Sequence, residues 1–430
     1  MPIPDQEARP ARLFASSNAL QGIGDQLVSG KTVLSWLFAQ LGVPHFFTAL
    51  LVPIRESGSM LPQTALTPWV TSRPTRKKLW VWGSVVQGIS ALVIAGAAAV
   101  FEGWVLGTIT IAALAVLSVF RALCSLTGKD VQGRTISKGS RGEVTGLAAQ
   151  ASGAVTLLVG LVLAFLGQLP PLGLAAVLGG GALSWFVAAA IFSSIDEPVP
   201  DEAETAAAKK NASEGPHWWS DTWKLYTSDE DFRRFVNVRA LLLVTALSTT
   251  FIVTLSHQSG TTVLSGLAGF VLASGLANLV GGKISGIWSD RSSRLVMSWA
   301  SVAASLTLML VVACAHWAPT WVCAWALPLG FFLVNLAHTG IRVARKTYIV
   351  DMAGGDKRTF YVGAANTMMG AILLVVGAIS AVISLAGPTA ALLFLAALGF
   401  IGAWRARMLR EVSASFVANQ RRTGVRFIPQ

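Results

Sequence analysis

Four ionisable residues stand in two stretches otherwise apolar and long enough to cross a bilayer: Asp25 and Lys31 in the first, Arg55 and Glu56 in the second. A charged side chain at the centre of a bilayer costs roughly 2.5–3.5 kcal/mol on insertion scales, so such groups pair or face a polar cavity. Residues i, i+3, i+4 and i+7 share one face of a helix. Glu56, Ser59 and Gln63 form one such polar stripe; Gln21, Asp25, Ser29, Thr32 and Ser35 form another, with Lys31 to one side. Counted from the outer ends, Lys31 and Arg55–Glu56 lie at similar depth, and Asp25 lies near the depth of Gln63. A Lys31–Glu56 ion pair is therefore geometrically feasible. The four charges sum to zero, and two readings are open. They clamp two helices together, or they line a central cavity. In the second reading Lys31 and Arg55 attract an anionic or carboxylate-bearing group. Glu56 or Asp25 then takes up and releases a proton.

The elements that position these charges follow from composition. The 430 residues are 53% hydrophobic and only 13% charged, with a mean hydropathy of +0.61. That balance is too apolar for a soluble enzyme and points to a membrane protein with many spans. The net charge of +12 does not indicate nucleic acid as a partner. All 33 Lys and Arg fall inside spans, in alternate connections or in the tails, which is a topology signal.

A span needs about 20 apolar residues. Spans are predicted at 17–41, 46–70, 79–101, 104–127, 143–167, 172–194, 237–257, 261–288, 295–316, 320–343, 360–386 and 388–408. The basic connections are 71–78, 128–142, 195–236, 289–294 and 344–359, plus both tails. This places both termini in the cytoplasm, with the chain in a plasma membrane of the bacterial inner type. The N-terminal sequence lacks the basic region and compact apolar core of a cleaved signal peptide, so the first span is expected to be retained. Trp80, Trp104, Trp317 and Trp321 lie near predicted span ends, where an aromatic belt belongs.

The expected organisation is a bundle over 1–194, a linker over 195–236, a second bundle over 237–408 and a tail over 409–430. The linker opens as a disordered-type sequence and closes on a short surface helix. There Ser228 and Asp231 would form a capping box, and Asp229–Arg233 and Glu230–Arg234 would form i,i+4 pairs. The halves repeat. At a shift of 217 residues, Lys129, Arg141, Gly146, Gly153 and Gly160 fall on Lys346, Arg358, Gly363, Gly370 and Gly377. Glycines seven apart stay near one helix face and permit close packing. Two six-span halves in parallel repeat are the plan of many transporters.

Gly286-Ile-Trp-Ser-Asp290-Arg291-Ser-Ser-Arg294 resembles the G-x-x-x-D-R-x-G-R motif of the major facilitator superfamily. Its counterpart in the first half, from Pro68 to Lys77, keeps Arg73 and Arg76 but has Ser72 where that family usually has Asp. The resemblance implies an all-α membrane protein of twelve transmembrane helices in two pseudo-symmetric bundles, working by alternating access. It also implies that Arg73, Arg76, Asp290, Arg291 and Arg294 brace a cytoplasmic gate. Asp130, Glu143 and Asp351 flank the same basic connections and are expected to meet Arg73, Arg291 or Arg294 when that gate is shut.

Asn335 and His338, three apart on span 10, are further candidates for solute binding, or else make interhelical hydrogen bonds. Arg121, near the end of span 4, reads as a snorkelling anchor or a substrate contact; Gln87, Gln150 and Asn366 are weaker cavity candidates. Gly281-Gly282-Lys283 lacks the leading glycine and trailing hydroxyl of a phosphate loop. The five His and three Cys show no metal-ligand spacing, and no nucleophile triad is visible. Span 5 lacks the Gly-Pro element typical of drug–proton antiporters in the resembled superfamily. No cofactor, metal or catalytic site is expected. The expected activity is proton-coupled movement of a small polar or anionic solute by a monomer in the lipid bilayer. A Na⁺-coupled symporter, a drug or metabolite efflux permease and a non-transporting receptor are the alternatives.

Overall fold

The computed structural model describes residues 5–136, 141–166, 169–198, 218–258, 266–352 and 358–412. The start of the linker and the end of the tail lie outside these residues, as do the side chains of Glu143, Gln150, Asp290 and Asp351. Among the described residues every regular element is helical. In the first half run α1 (Asp5–Leu27), α2 (Val33–Gln40), α3 (His45–Thr71), α4 (Lys77–Val100), α5 (Gly103–Thr135), α6 (Arg141–Leu166) and α7 (Pro171–Ser193). Then come α8 (Trp218–Ser228), α9 (Glu230–Leu241), α10 (Val244–Gln258), α11 (Leu267–Arg291), α12 (Ser293–Trp317), α13 (Thr320–Met352), α14 (Arg358–Ile383) and α15 (Pro388–Arg407).

The first predicted span is not one helix. It breaks between α1 and α2, over Val28–Thr32, and α1 begins far upstream of the predicted start. Gly30 sits in the break, where an added Cβ would meet Leu51 Cβ at 3.3 Å. The break frees backbone groups that need partners; the Ser35 hydroxyl donates to the Gly30 carbonyl at 2.6 Å. A second interruption, at Leu242–Leu243, separates α9 from α10. A capping correction lies just before it. Asp229, not Ser228, caps α9, its Oδ1 accepting from Phe232 N at 2.9 Å, while Tyr361 donates to its Oδ2 at 2.5 Å. The Glu230–Arg234 pair forms at 2.6 Å. Arg233 instead donates to the Thr227 carbonyl.

Eight helices among the described residues are long and apolar enough to cross a membrane. They coincide with the predicted third, fourth, sixth, seventh, ninth, tenth, eleventh and twelfth spans. The first, second, fifth and eighth do not meet that measure. The first is interrupted and the second carries Arg55 and Glu56; in α6 and α11 the described side chains cover only part of each helix, with apolar stretches at Gly153–Phe165 and Leu267–Gly281. α3, α6 and α11 each pack against a helix of the other half, and polarity is tolerated where a helix faces protein or a cavity rather than lipid.

Packing explains that placement. α4 lies against α5 and α7, and α1 against α6 and α7; α13 lies against α11 and α12, and α12 against α15. Contacts between the two sets run through α3–α14, α6–α11 and α10 with α2 and α3. Of the repeated glycines, Gly153, Gly160, Gly370 and Gly377 sit at these crossings. An added Cβ at Gly160 would meet Leu272 at 2.8 Å, and one at Gly370 would meet Leu61 at 2.6 Å. Without side chains, these glycines let backbones approach closely. The Ser57 hydroxyl donates to the Gly370 carbonyl at 2.8 Å across the same crossing. Trp80 stacks on Phe192 at 3.7 Å within the first set.

Candidate functional site: a charged cavity at the helix interruption

A cavity of about 370 Å³ opens beside the α1–α2 break. Asp25, Lys31, Arg55, Glu56, Gln63, Asn335 and His338 all line it, as do Arg121 and Arg342. The structure thus brings together the seven main span-embedded candidates, from α1, the break, α3 and α13.

The pairing differs from the Lys31–Glu56 expectation. Arg55 binds Asp25 Oδ1, and Arg121 binds Asp25 Oδ2 at 2.5 Å. Arg121 also donates to Gln21 Oε1 at 3.0 Å, so the snorkelling reading of Arg121 is corrected. Both oxygens of one carboxylate are taken by two guanidiniums, and Asp25 and Arg55 are each only 16% exposed. Lys31 lies within electrostatic range of Glu56 but forms no ion pair with it. The depth count assumed a straight helix; the interruption at Val28–Thr32 and the reach of the arginine side chain change which groups meet.

On α13, Asn335, His338, Arg342 and Arg345 recur at spacings of three and four and share a face. Asn335 Nδ2 donates to the Phe331 carbonyl at 3.0 Å, and His338 Nδ1 lies 3.1 Å from Thr245 Oγ1. Gln63 Nε2 donates to the Ser59 carbonyl at 2.6 Å. Arg345 lies within electrostatic range of Glu56 and Arg342. Neither Arg342, inside the span predicted at 320–343, nor Arg345, two residues beyond it, is among the sequence-predicted site residues. The signal was present: the polar stripe continues unbroken through both. Two weaker candidates lie elsewhere. Gln87 is buried and donates to Cys124 Sγ at 3.2 Å, and Asn366 accepts from the buried Arg239 at 3.1 Å.

The basic end of the molecule carries a separate network. Arg76 Nε binds Asp130 Oδ2 at 2.9 Å, in place of the expected partners of Asp130. The Glu197 carboxylate accepts from the backbone N–H groups of Arg76 and Lys77 at 2.8–3.0 Å. Such acceptance at a helix N-terminus is favoured by the unsatisfied amides and the helix dipole. Arg134 joins Glu197 at 3.2 Å. In the second half Arg294 binds Glu411 at 2.9 Å. Arg73 lies over the Trp69 ring at 5.7 Å, and Arg291 is exposed. At the opposite end, Trp36 meets His257 edge-on at 5.1 Å, and His45 contacts Gln258 at 3.1 Å.

No protein-family profile and no curated protein matches the sequence. Solved structures do resemble the fold. A D-xylose–proton symporter superposes with a TM-score of 0.71 at 11% identity, over 94% of this chain and 98% of that one. A POT family transporter in complex with a thioalcohol-conjugated peptide gives 0.69 at 10% identity, over 94% and 98%. A nucleoside transporter gives 0.68 at 12% identity, over 94% and 100%. The chain therefore has the major-facilitator fold.

Proposed function

We propose that this chain is an alternating-access secondary transporter that moves a small polar or anionic solute with a proton. In this reading twelve membrane crossings form two bundles, 1–194 and 237–408, joined by a linker at 195–236 and followed by a tail at 409–430. Both termini face the cytoplasm, and a monomer sits in a plasma membrane of the bacterial inner type. The observation that carries the reading is the charged cavity at the break in the first span. Interrupted helices beside a polar site are a recurrent way to bind solute and ion within a membrane.

Roles follow from the pairing. Asp25 is committed to two arginines, whereas Glu56 makes no ion pair among the described residues, which leaves it available to exchange a proton with solute or water. Arg55 and Arg121, held by Asp25, shape the wall. Lys31, Gln63, Asn335 and His338 face the solute. Arg76–Asp130 and the Glu197 and Glu411 contacts brace the gate, together with Arg73, Arg291, Arg294, Asp290 and Asp351.

The test is proton flux in liposomes containing the purified chain, recorded on addition of carboxylates, phosphate esters, sugars and amino acids. One of these solutes should evoke a pH-dependent proton current, and Glu56→Gln should abolish it while leaving the protein folded. Binding with no solute flux would defeat the transport reading. Flux with unchanged pH dependence in Glu56→Gln would defeat the coupling assignment alone.

A further inference from the structure

We infer that the solute is a small dianion, bound by Lys31 and Arg342 with electrostatic support from Arg345 one turn further along α13. This deepens the transport reading of the same cavity and rests on it.

The argument is one of charge balance. Asp25 is shared by Arg55 and Arg121, so one positive charge of that trio is left over. The other charged groups lining the cavity are Lys31, Arg342 and Glu56, a surplus of one further positive charge, and Arg345 lies within electrostatic range of all three. Two positive charges are therefore left without a counter-charge. Among the described residues no carboxylate lies within ion-pair distance of Lys31, Arg342 or Arg345. Lys31 and Arg345 are half-buried, and cations removed from water are costly unless paired. His338 also lies within electrostatic range of these three cations, and it adds no negative charge. The lining thus carries a surplus of positive charge that a bound anion would balance.

Geometry narrows the class. Arg342 on α13 and Lys31 at the break both line the cavity, so the charges converge from two elements. Guanidinium forks match carboxylate and phosphate oxygens. Asn278, Asn335 and Ser274 line the same space and supply uncharged hydrogen-bonding groups. A volume near 370 Å³ fits a small metabolite. A monoanion leaves one cation unpaired; a dicarboxylate or a phosphate monoester balances both.

The test uses the purified full-length chain in detergent, at constant ionic strength, with thermal unfolding as the readout. Succinate or glycerol 3-phosphate should raise the melting temperature saturably, whereas acetate and glucose at the same concentration should not. Which of the two dianions acts separates the carboxylate source from the phosphate source. Arg342→Gln and Arg345→Gln should each weaken the apparent Kd at least tenfold. Each should also raise the ligand-free melting temperature, because a like charge has been removed. A purely structural role for these arginines predicts the opposite change in the empty protein. Equal stabilisation by acetate or glucose would overturn the proposal, as would an intact dianion response in the double variant. Should the glutamine variants not fold, Asn278→Asp supplies the missing charge from within. It must blunt the dianion response, and an unchanged response would overturn the proposal. Proton-coupled flux of a neutral solute without dianion binding would sink this inference and spare the transport reading. Dianion binding without any flux would do the reverse.

Discussion

Glu197 and Glu411 occupy matching places, each four residues beyond the end of a helix, α7 and α15 respectively. Each grips the start of another helix. Glu197 accepts from the amides that open α4, and Glu411 binds Ser292 and Arg294 at the start of α12. Lys77 and Arg294, 217 residues apart, complete the match. Lys77 donates to the Ile195 carbonyl at 2.7 Å, and Arg294 to the Leu409 carbonyl at 3.2 Å. The repeat seen in the sequence is therefore also a repeat of contacts.

These clamps predict unequal losses. The Glu197 side chain is 1% exposed, so Glu197→Ala takes the acceptor from the amides that open α4 and one of two carboxylates from Arg134, which keeps Asp130 at 4.0 Å. A loss of about 2–4 kcal/mol is expected, from the cost of unsatisfied buried donors and broken charge pairs. Glu411→Ala should cost less, since Arg294 is 29% exposed and keeps two backbone acceptors. Thermal unfolding of the two variants in one detergent would show the order; equal losses would contradict it.

Asp25 holds two guanidiniums, so Asp25→Asn leaves both without their counter-ion. Removing one partner of a buried pair typically costs about 3–5 kcal/mol, and a clear drop in melting temperature is expected. Arg55→Gln should be milder, because Arg121 still neutralises Asp25. A double-mutant cycle over Asp25 and Arg55 measures the coupling; a value near zero would show that the contact carries no energy.

Gly370 and Gly377 are where α14 meets α3. A Cβ at Gly370 would lie 2.6 Å from Leu61 Cγ, and one at Gly377 would overlap Pro53. Overpacking typically costs about 1–3 kcal/mol, so Gly377→Val should lower the melting temperature. Gly363→Ala on the same helix, which meets nothing within 4 Å, should be neutral or slightly stabilising. Similar losses in both would place the effect in helix propensity rather than in the crossing.

His45 and Gln258 touch at the end of the molecule opposite the basic network. If the chain alternates access, this contact must part during each cycle. A short bifunctional thiol cross-linker across His45→Cys and Gln258→Cys should therefore stop flux in liposomes. A cleavable linker should restore flux on reduction. Undiminished flux in fully cross-linked protein would mean that this end does not open.

Composition and periodicity alone set out the helical plan, the half-length repeat and the charges near its centre. Each of these is local: an apolar run, a polar stripe, a glycine every seven residues. The glycines marked close crossings, but not that Gly370 would meet Leu61 or that Gly160 would meet Leu272. Tertiary structure decided the pairing. Asp25 took Arg55 and Arg121 rather than leaving Arg55 free, because the break at Val28–Thr32 reset the register of the first span and α5 lay alongside. It also carried α13 to Met352, which makes Arg342 part of the cavity wall and extends the helix through Arg345. Which charges meet depends on the reach of side chains between elements distant in sequence, and a helical period read along one element contains no such information.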